Sequence, residues 1–401
     1  MKVLFVNLVY GTGSTGKIIA DIMSLLKKYG NDVKALYGTG ARSDNADAVK
    51  VSGKTEYYFH NAVSRFTDHA GLYSWAATRR LIREIKMFQP DLIHLHTLHG
   101  FYVNYEMLFD FLKKANIPVV WTLHDCWTFT GHCTHFSQAK CIQWQTECRN
   151  CKLLRRYPQC YLKGDVKRNY LRKKSAFTGV KNLIITTPSK WLAAQVERSF
   201  LKDYPRVVIP NGIDRAIFYP RTSDLRAKYH LKDKKINLGV ANAWNARKGF
   251  ADLLTLAECL GSEYQVVLIG LSEKQLFNIP KRVLGILRTA NQTELAQWYS
   301  VADVFVNPTY EETFGLTTVE AQACGTPVVV YETDGWPDTV APGNGCLIQQ
   351  GNIRALEEAV RSIVKSNLRA DSRKMEQFDR YKVYQSYIEL YEKALEDKKG
   401  V

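Results

Sequence analysis

Residues 308–330, PTYEETFGLTTVEAQACGTPVVV, begin as a polar loop and pass through Phe314, Gly315 and Leu316 into a helix that starts near Thr317. Gly325 stops the helix, and PVVVYE (327–332) follows as a buried strand. Just upstream, DVFVNP (303–308) is another short run of apolar and β-branched residues. Strand, helix and strand in this order form a βαβ unit, whose two strands are parallel.

The same alternation extends in both directions. INLGVAN (236–242), YQVVLIG (264–270) and VLGILRT (283–289) are strands of the second half. KVLFVNLV (2–9), VKALY (33–37), DLIHLH (91–96), PVVWTLH (118–124) and NLIITT (182–187) are strands of the first, with helical patterns at 15–29, 76–88 and 105–115. Such alternation predicts an α/β chain of two Rossmann-like, doubly wound domains facing a cleft. The expected limits are 1–205 and 206–372, joined by the proline- and glycine-bearing stretch VVIPNGIDRAIFYP (207–220). Residues 373–401 are expected as a C-terminal helix packing back toward the first domain. Ligands of such sheets bind beyond the carboxyl ends of the strands.

Composition sets the outer limits. The 401 residues are 46% apolar and 23% charged, an ordinary globular balance. No apolar run approaches the ~20 residues that cross a bilayer, and the start MKVLFVNLVYGTG reads as a strand, not a signal peptide. A cytoplasmic location is expected, with reduced thiols or a metal site for the nine cysteines. The formal charge of +16 favours anionic partners, whether nucleic acid, lipid head groups or phosphorylated small molecules.

The 308–330 stretch also carries chemistry. Amides at the helix start, from Gly315 onward, suit a diphosphate. Glu320, about one turn into the helix, is placed to accept hydrogen bonds from a ribose diol, and Glu312 reaches farther along the same ligand. The loop GTGSTGKI (11–18) looks like a second phosphate motif but fails two tests. Ile18 stands where a P-loop needs Ser or Thr, and the second strand ends ALYGTGA without the acid that a dinucleotide fold requires.

PDLIHLHTLHG, VVWTLHDCW, TPSKWLA, VVIPNGID, RKGF and EAQACGTPVVV occur in this order along nearly the whole chain. In these segments the chain resembles the retaining glycosyltransferases of family 4, which have the GT-B fold. That resemblance implies that a sugar is transferred, with retention and without a catalytic metal, from a nucleotide-diphosphate sugar to a glycan. The implied acceptor is lipid-pyrophosphate-linked and belongs to capsule, exopolysaccharide or lipopolysaccharide synthesis. It implies that Glu320 holds the donor ribose and Glu312 the donor sugar, with Phe314, Gly315 and Leu316 beside the sugar and phosphates. Lys248 would neutralise the leaving diphosphate. Ala243 stands where the family has an arginine, and Arg247 is the candidate substitute. His124 falls near the transferred sugar, making His124, Glu312 and Lys248 the expected catalytic set. Asp125 is an acceptor-side candidate, Gly13 and Ser14 are donor contacts, and His94 and His96 are packing or supporting residues. A sugar-nucleotide epimerase or phosphorylase of the same fold is the alternative; a basic nucleic-acid-binding protein is a more distant one, and no nucleic-acid partner is expected.

Two features lie outside those motifs. Residues 126–160 are a cysteine-rich insertion in which Cys133, Cys141, Cys148 and Cys151 are spaced for a structural zinc, with His132 and His135 as alternative ligands. Residues 152–174 carry nine basic residues, Lys173 among them, interleaved with Tyr157, Tyr161 and Tyr170. That face is expected to make peripheral contact with an anionic membrane.

Overall fold

The strands of the first half form one parallel sheet. Its members are β1 (Lys2–Asn7), β2 (Asp32–Tyr37), β3 (Ala48–Lys50), β4 (Leu92–Leu95), β5 (Val119–Thr122), β6 (Leu183–Thr187) and β7 (Arg206–Val208), in the order β3-β2-β1-β4-β5-β6-β7. Val3 of β1 pairs with Val33 on one side and Leu92 on the other. β4 and β5 are buried at every position, as expected of parallel strands covered on both faces. The helix Gly13–Lys28 closes one face with Ile18, Ile22 and Leu25 at helical spacing. Trp121, Phe109 and Phe177 stack together on Tyr105–Ala115 and its neighbours. This computed structural model describes residues 1–399.

A second parallel sheet holds β8 (Lys235–Val240), β9 (Tyr264–Ile269), β10 (Val283–Ile286), β11 (Val304–Asn307), β12 (Val328–Tyr331) and β13 (Gly345–Ile348), in the order β10-β9-β8-β11-β12-β13. Three strands were absent from the sequence reading: β3, β7 and β13. Each is a three- or four-residue edge strand, held by one neighbour and too short to show a periodic pattern.

The chain divides into two compact units. The first runs from Met1 to Pro210 and resumes at Tyr384; the second is Asn211–Val383. A boundary at 205/206 would cut β7 from its partner β6, so residues 207 and 208 are sheet rather than connection. The segment from 373 is not one helix. Ser372–Phe378 is a 3₁₀ turn, and the helix proper is Arg380–Lys399. Between them the backbone of Asp379 bridges to Ile213, and its carboxylate accepts the Tyr381 amide at 2.9 Å, which restarts the helix. Farther along, Tyr391 and Tyr387 reach His94 at 2.6 Å and Thr122 at 3.2 Å in the first sheet. Gly400 and Val401, the end of the expected 373–401 segment, lie outside the described residues. No described helix is long and apolar enough to cross a membrane.

Candidate active site

In the second sheet the strand order reverses between β8 and β11, and ligands of open α/β sheets bind at such a reversal. The loops leaving these two strands carry Lys248 and Glu312. Their side chains form an ion pair of 2.6 Å, each about one-fifth exposed. The geometry has local causes. Asn245 caps the short turn Ala246–Lys248 by accepting the Lys248 amide at 3.1 Å. Gly249 follows at φ +68°, and a Cβ there would lie 2.2 Å from the Pro308 carbonyl, so only glycine lets the two loops touch. Arg247 is fastened to the same loop: its guanidinium donates to the Glu311 carbonyl at 2.7 Å, and its own carbonyl accepts the Tyr310 amide. Arg247 therefore buttresses the loop in which Lys248 meets Glu312.

Residues 314–320 turn this loop into a helix. Phe314 is buried against Phe378, and Gly315 takes φ +79° with Trp336 where a Cβ would go. The helix Leu316–Ala323 starts there with no side-chain cap. Asn307, the last residue of β11, donates to Thr317 in its first turn at 3.3 Å. Glu320 is half-buried and accepts the Tyr299 hydroxyl at 3.0 Å. Two supports went unread in the sequence. Asp334 accepts the Glu312 amide at 3.1 Å, and Asp252 accepts the hydroxyls of Tyr310 and Tyr331 at 2.8 and 2.6 Å. No local motif marks either, because each acts across tens of residues.

In the first sheet the reversal lies between β1 and β4. After β1, Gly11 and Gly13 sit at φ +68° and +63°, and Gly13 and Ser14 are exposed at the start of the helix Gly13–Lys28. Asn7 ends β1 and donates to Thr15 at 3.2 Å, while its side-chain Oδ1 accepts the Thr97 amide beyond β4. Three imidazoles stack here. His94 lies 4.1 Å from His96, centroid to centroid, and His96 Nδ1 is 3.0 Å from His124 Nε2 beyond β5. Burial lowers the pKa of all three, that of His124 to about 4. His94 is held between Tyr391 and Thr122, which agrees with a supporting role; His96 Nε2 is buried without a partner. Asp125 contacts His99 at 2.7 Å and accepts the Trp127 amide; burial pushes its carboxyl up, but His99 and His135 hold it down at about 2. His99 also meets Tyr157 at 3.1 Å, a residue of the insertion. Gly13, Ser14, His124 and Asp125 thus belong to the first unit, and Arg247, Lys248, Glu312, Phe314, Gly315, Leu316 and Glu320 to the second.

The basic face of 152–174 differs from its reading. Tyr170 and Lys173 are buried, and the Lys173 ammonium donates to the carbonyls of Trp127 and Thr130 at 2.7 and 3.0 Å. Cys133, Cys141, Cys148 and Cys151 line one cavity, but no three His, Cys, Asp or Glu side chains among the described residues are gathered closely enough to hold a metal ion as they stand.

Two parallel sheets, each reversing its strand order once, form the architecture of the GT-B fold, and comparison with known proteins identifies the family. The chain belongs to glycosyltransferase family 4, whose profile matches residues 16–216, half of the 401; the profile of glycosyl transferases group 1 matches 222–382. A D-inositol 3-phosphate glycosyltransferase of Arthrobacter sp. (strain FB24) is 32% identical over 190 residues, 43% of this chain and 45% of that one. The chain thus spans less than half the length of that curated relative. Among solved structures, sucrose-phosphate synthase from Thermosynechococcus elongatus superposes with a TM-score of 0.72 at 18% identity, covering 98% of each chain. Anabaena Alr3699/HepE in complex with UDP does so with 0.67 at 17%, covering 98% of this chain and 100% of that one.

Proposed function

We propose that the protein transfers a sugar, with retention, from a nucleotide-diphosphate sugar to a glycan acceptor. The observation that carries this reading is the Lys248–Glu312 pair at 2.6 Å, beside the uncapped start at Gly315 of the helix that holds Glu320 about one turn in. Breaking a sugar–phosphate bond leaves charge on the β-phosphate. Lys248 and the amides of the helix start would stabilise that charge without a metal ion. Glu312 holds the ammonium in place and accepts sugar hydroxyls, while Glu320 takes the ribose. His124, kept neutral, offers a hydrogen bond to a sugar hydroxyl without adding a competing charge. The UDP bound by HepE supports a nucleotide ligand, though not its base.

The finer reading is a lipid-linked acceptor of cell-surface polysaccharide synthesis, met at an anionic membrane. It is supported by exposed Phe66 against Tyr161, whose ring is flanked by Arg65 and Arg155, and by exposed Phe59 and Trp75, both against Tyr73.

Calorimetry with UDP, GDP, ADP and their common sugars tests the proposal. One nucleotide should bind, and Glu320→Ala should weaken it by about 1.5–3 kcal/mol, the value of a hydrogen bond to a charged group. Binding of no nucleotide, or unchanged binding by the variant, would overturn it.

A further inference from the structure

Between β5 and the helix Val166–Phe177 the chain runs for some forty residues with only two three-residue turns, Trp127–Phe129 and Gln143–Gln145. Loops of that length inside a compact unit need a fastening. The cavity in this segment, about 220 Å³, is lined by Cys133, Cys141, Cys148, Cys151 and His132. Cys133 and Cys151 are hydrogen-bonded to each other. The amide of Gly131 donates to Cys148 Sγ at 3.2 Å, and that of Leu153 to Cys151 Sγ at 3.4 Å. Amides directed at sulfur favour the thiolate over the thiol.

Two further observations point to negative charge in the cavity. Lys173, 2% exposed, lies against this cluster, and its ammonium is bonded to two carbonyls and the Trp127 ring; no carboxylate among the described residues bonds it directly, and Asp68, the strongest of the charges that favour it, is taken up by His132. A buried cation without a directly bonded counter-ion is costly, and charge on the neighbouring sulfurs would offset it. His132, also 2% exposed, gives Nδ1 to Asp68 and leaves Nε2 without a partner in the cavity wall.

We propose that this cavity is a structural zinc site in which the thiolates of Cys133, Cys141, Cys148 and Cys151 hold one Zn²⁺. Four thiols give up four protons to solvent, four Zn–S bonds form, and the thiol–thiol hydrogen bond is lost. The sulfurs close to ~2.3 Å from the ion, nearer than their present spacing around the cavity. The centre carries a charge of −2, which Lys173 offsets in part. His132 precedes Cys133 directly, and consecutive side chains on non-helical backbone diverge, so the two do not share the ion. The ion would tie the insertion to the strand end that bears His124 and Asp125, through the Cys126 amide on the Thr134 carbonyl at 2.9 Å.

The test is the metal content of the purified full chain by mass spectrometry. About one zinc per chain is expected, lost in Cys148→Ser and Cys141→Ser and kept in Cys160→Ser and His132→Gln. Where a variant does not fold, the wild type still decides. Replacing zinc by cobalt should give the intense sulfur-to-metal absorption of a tetrathiolate, and chelation should lower the melting temperature until zinc restores it. A reduced wild-type chain with no zinc and no thermal response to it would overturn the site. So would a Cys133–Cys151 disulfide in the protein as isolated, or retention of zinc by Cys141→Ser.

Discussion

At matching places the two sheets use opposite chemistry. Each reversal of strand order is followed by a loop and a helix. In each, an asparagine at a strand end reaches a threonine in the next helix's first turn: Asn7 to Thr15 and Asn307 to Thr317. The scaffold is thus nearly the same. In the second unit it presents a partly exposed ion pair, Lys248 with Glu312; in the first, a row of imidazoles that burial keeps neutral. Under the proposed function, charge at one edge takes up a phosphate at any pH near neutrality. Neutrality at the other edge holds only while those histidines stay unprotonated.

Acid should therefore separate the units, and this is the largest effect expected. Burial takes the His60 pKa from 6.5 to about 4, and its ring accepts the Gly71 amide while meeting Ser74. His94, His96 and His124 shift the same way. Because the folded values are depressed, the unfolded chain takes up protons first. Stability from these groups is complete above pH 6.5 and is lost as the pH falls, the loss from His60 and His124 ending near pH 4. His60 alone accounts for on the order of 3 kcal/mol. Denaturant titrations at pH 7.5, 5.5 and 4.5 should show the loss in the first unit's transition. Equal losses in both units would end the contrast.

Lys248→Ala probes the charged edge. Removing a donor to a developing oxyanion costs about 10²–10³ in kcat in comparable sites. The same loss is expected here in sugar transfer, with the acid transition of the first unit unmoved. A fall of only two- or threefold would mean that the ion pair organises the loop rather than the leaving group.

The contrast also explains what could be read from sequence. Glu312, Gly315 and Glu320 stand within nine residues of one another, so their chemistry is written in one stretch, and Lys248 is marked by the glycine that follows it. The ten strands read from apolar runs all have four or more residues, whereas β3 and β7 have three, and β13, with four, has a half-buried pattern throughout. His99 and Asp334 were missed because their partners come from distant strand ends or the insertion, and Tyr157 was read as part of the basic face rather than as the partner of His99. Lys173 was misplaced because a lysine in a basic run reads as solvated, and only the fold reveals the carbonyls that hold it.

Tyr391→Phe offers the smallest and most selective test. Its hydroxyl lies 2.6 Å from His94 Nδ1, with both side chains buried, and His94 Nε2 meets Thr122 at 2.7 Å. Removing the oxygen leaves one ring nitrogen of His94 unsatisfied while preserving the aromatic packing, a loss of about 1–2 kcal/mol. That loss should appear in the first unit, where the C-terminal helix packs, and should leave nucleotide binding by the second unlike Glu320→Ala: unchanged. If the variant instead weakens nucleotide binding as strongly as it lowers stability, the neutral edge is not confined to the first unit, and the histidine row contributes to the donor site itself.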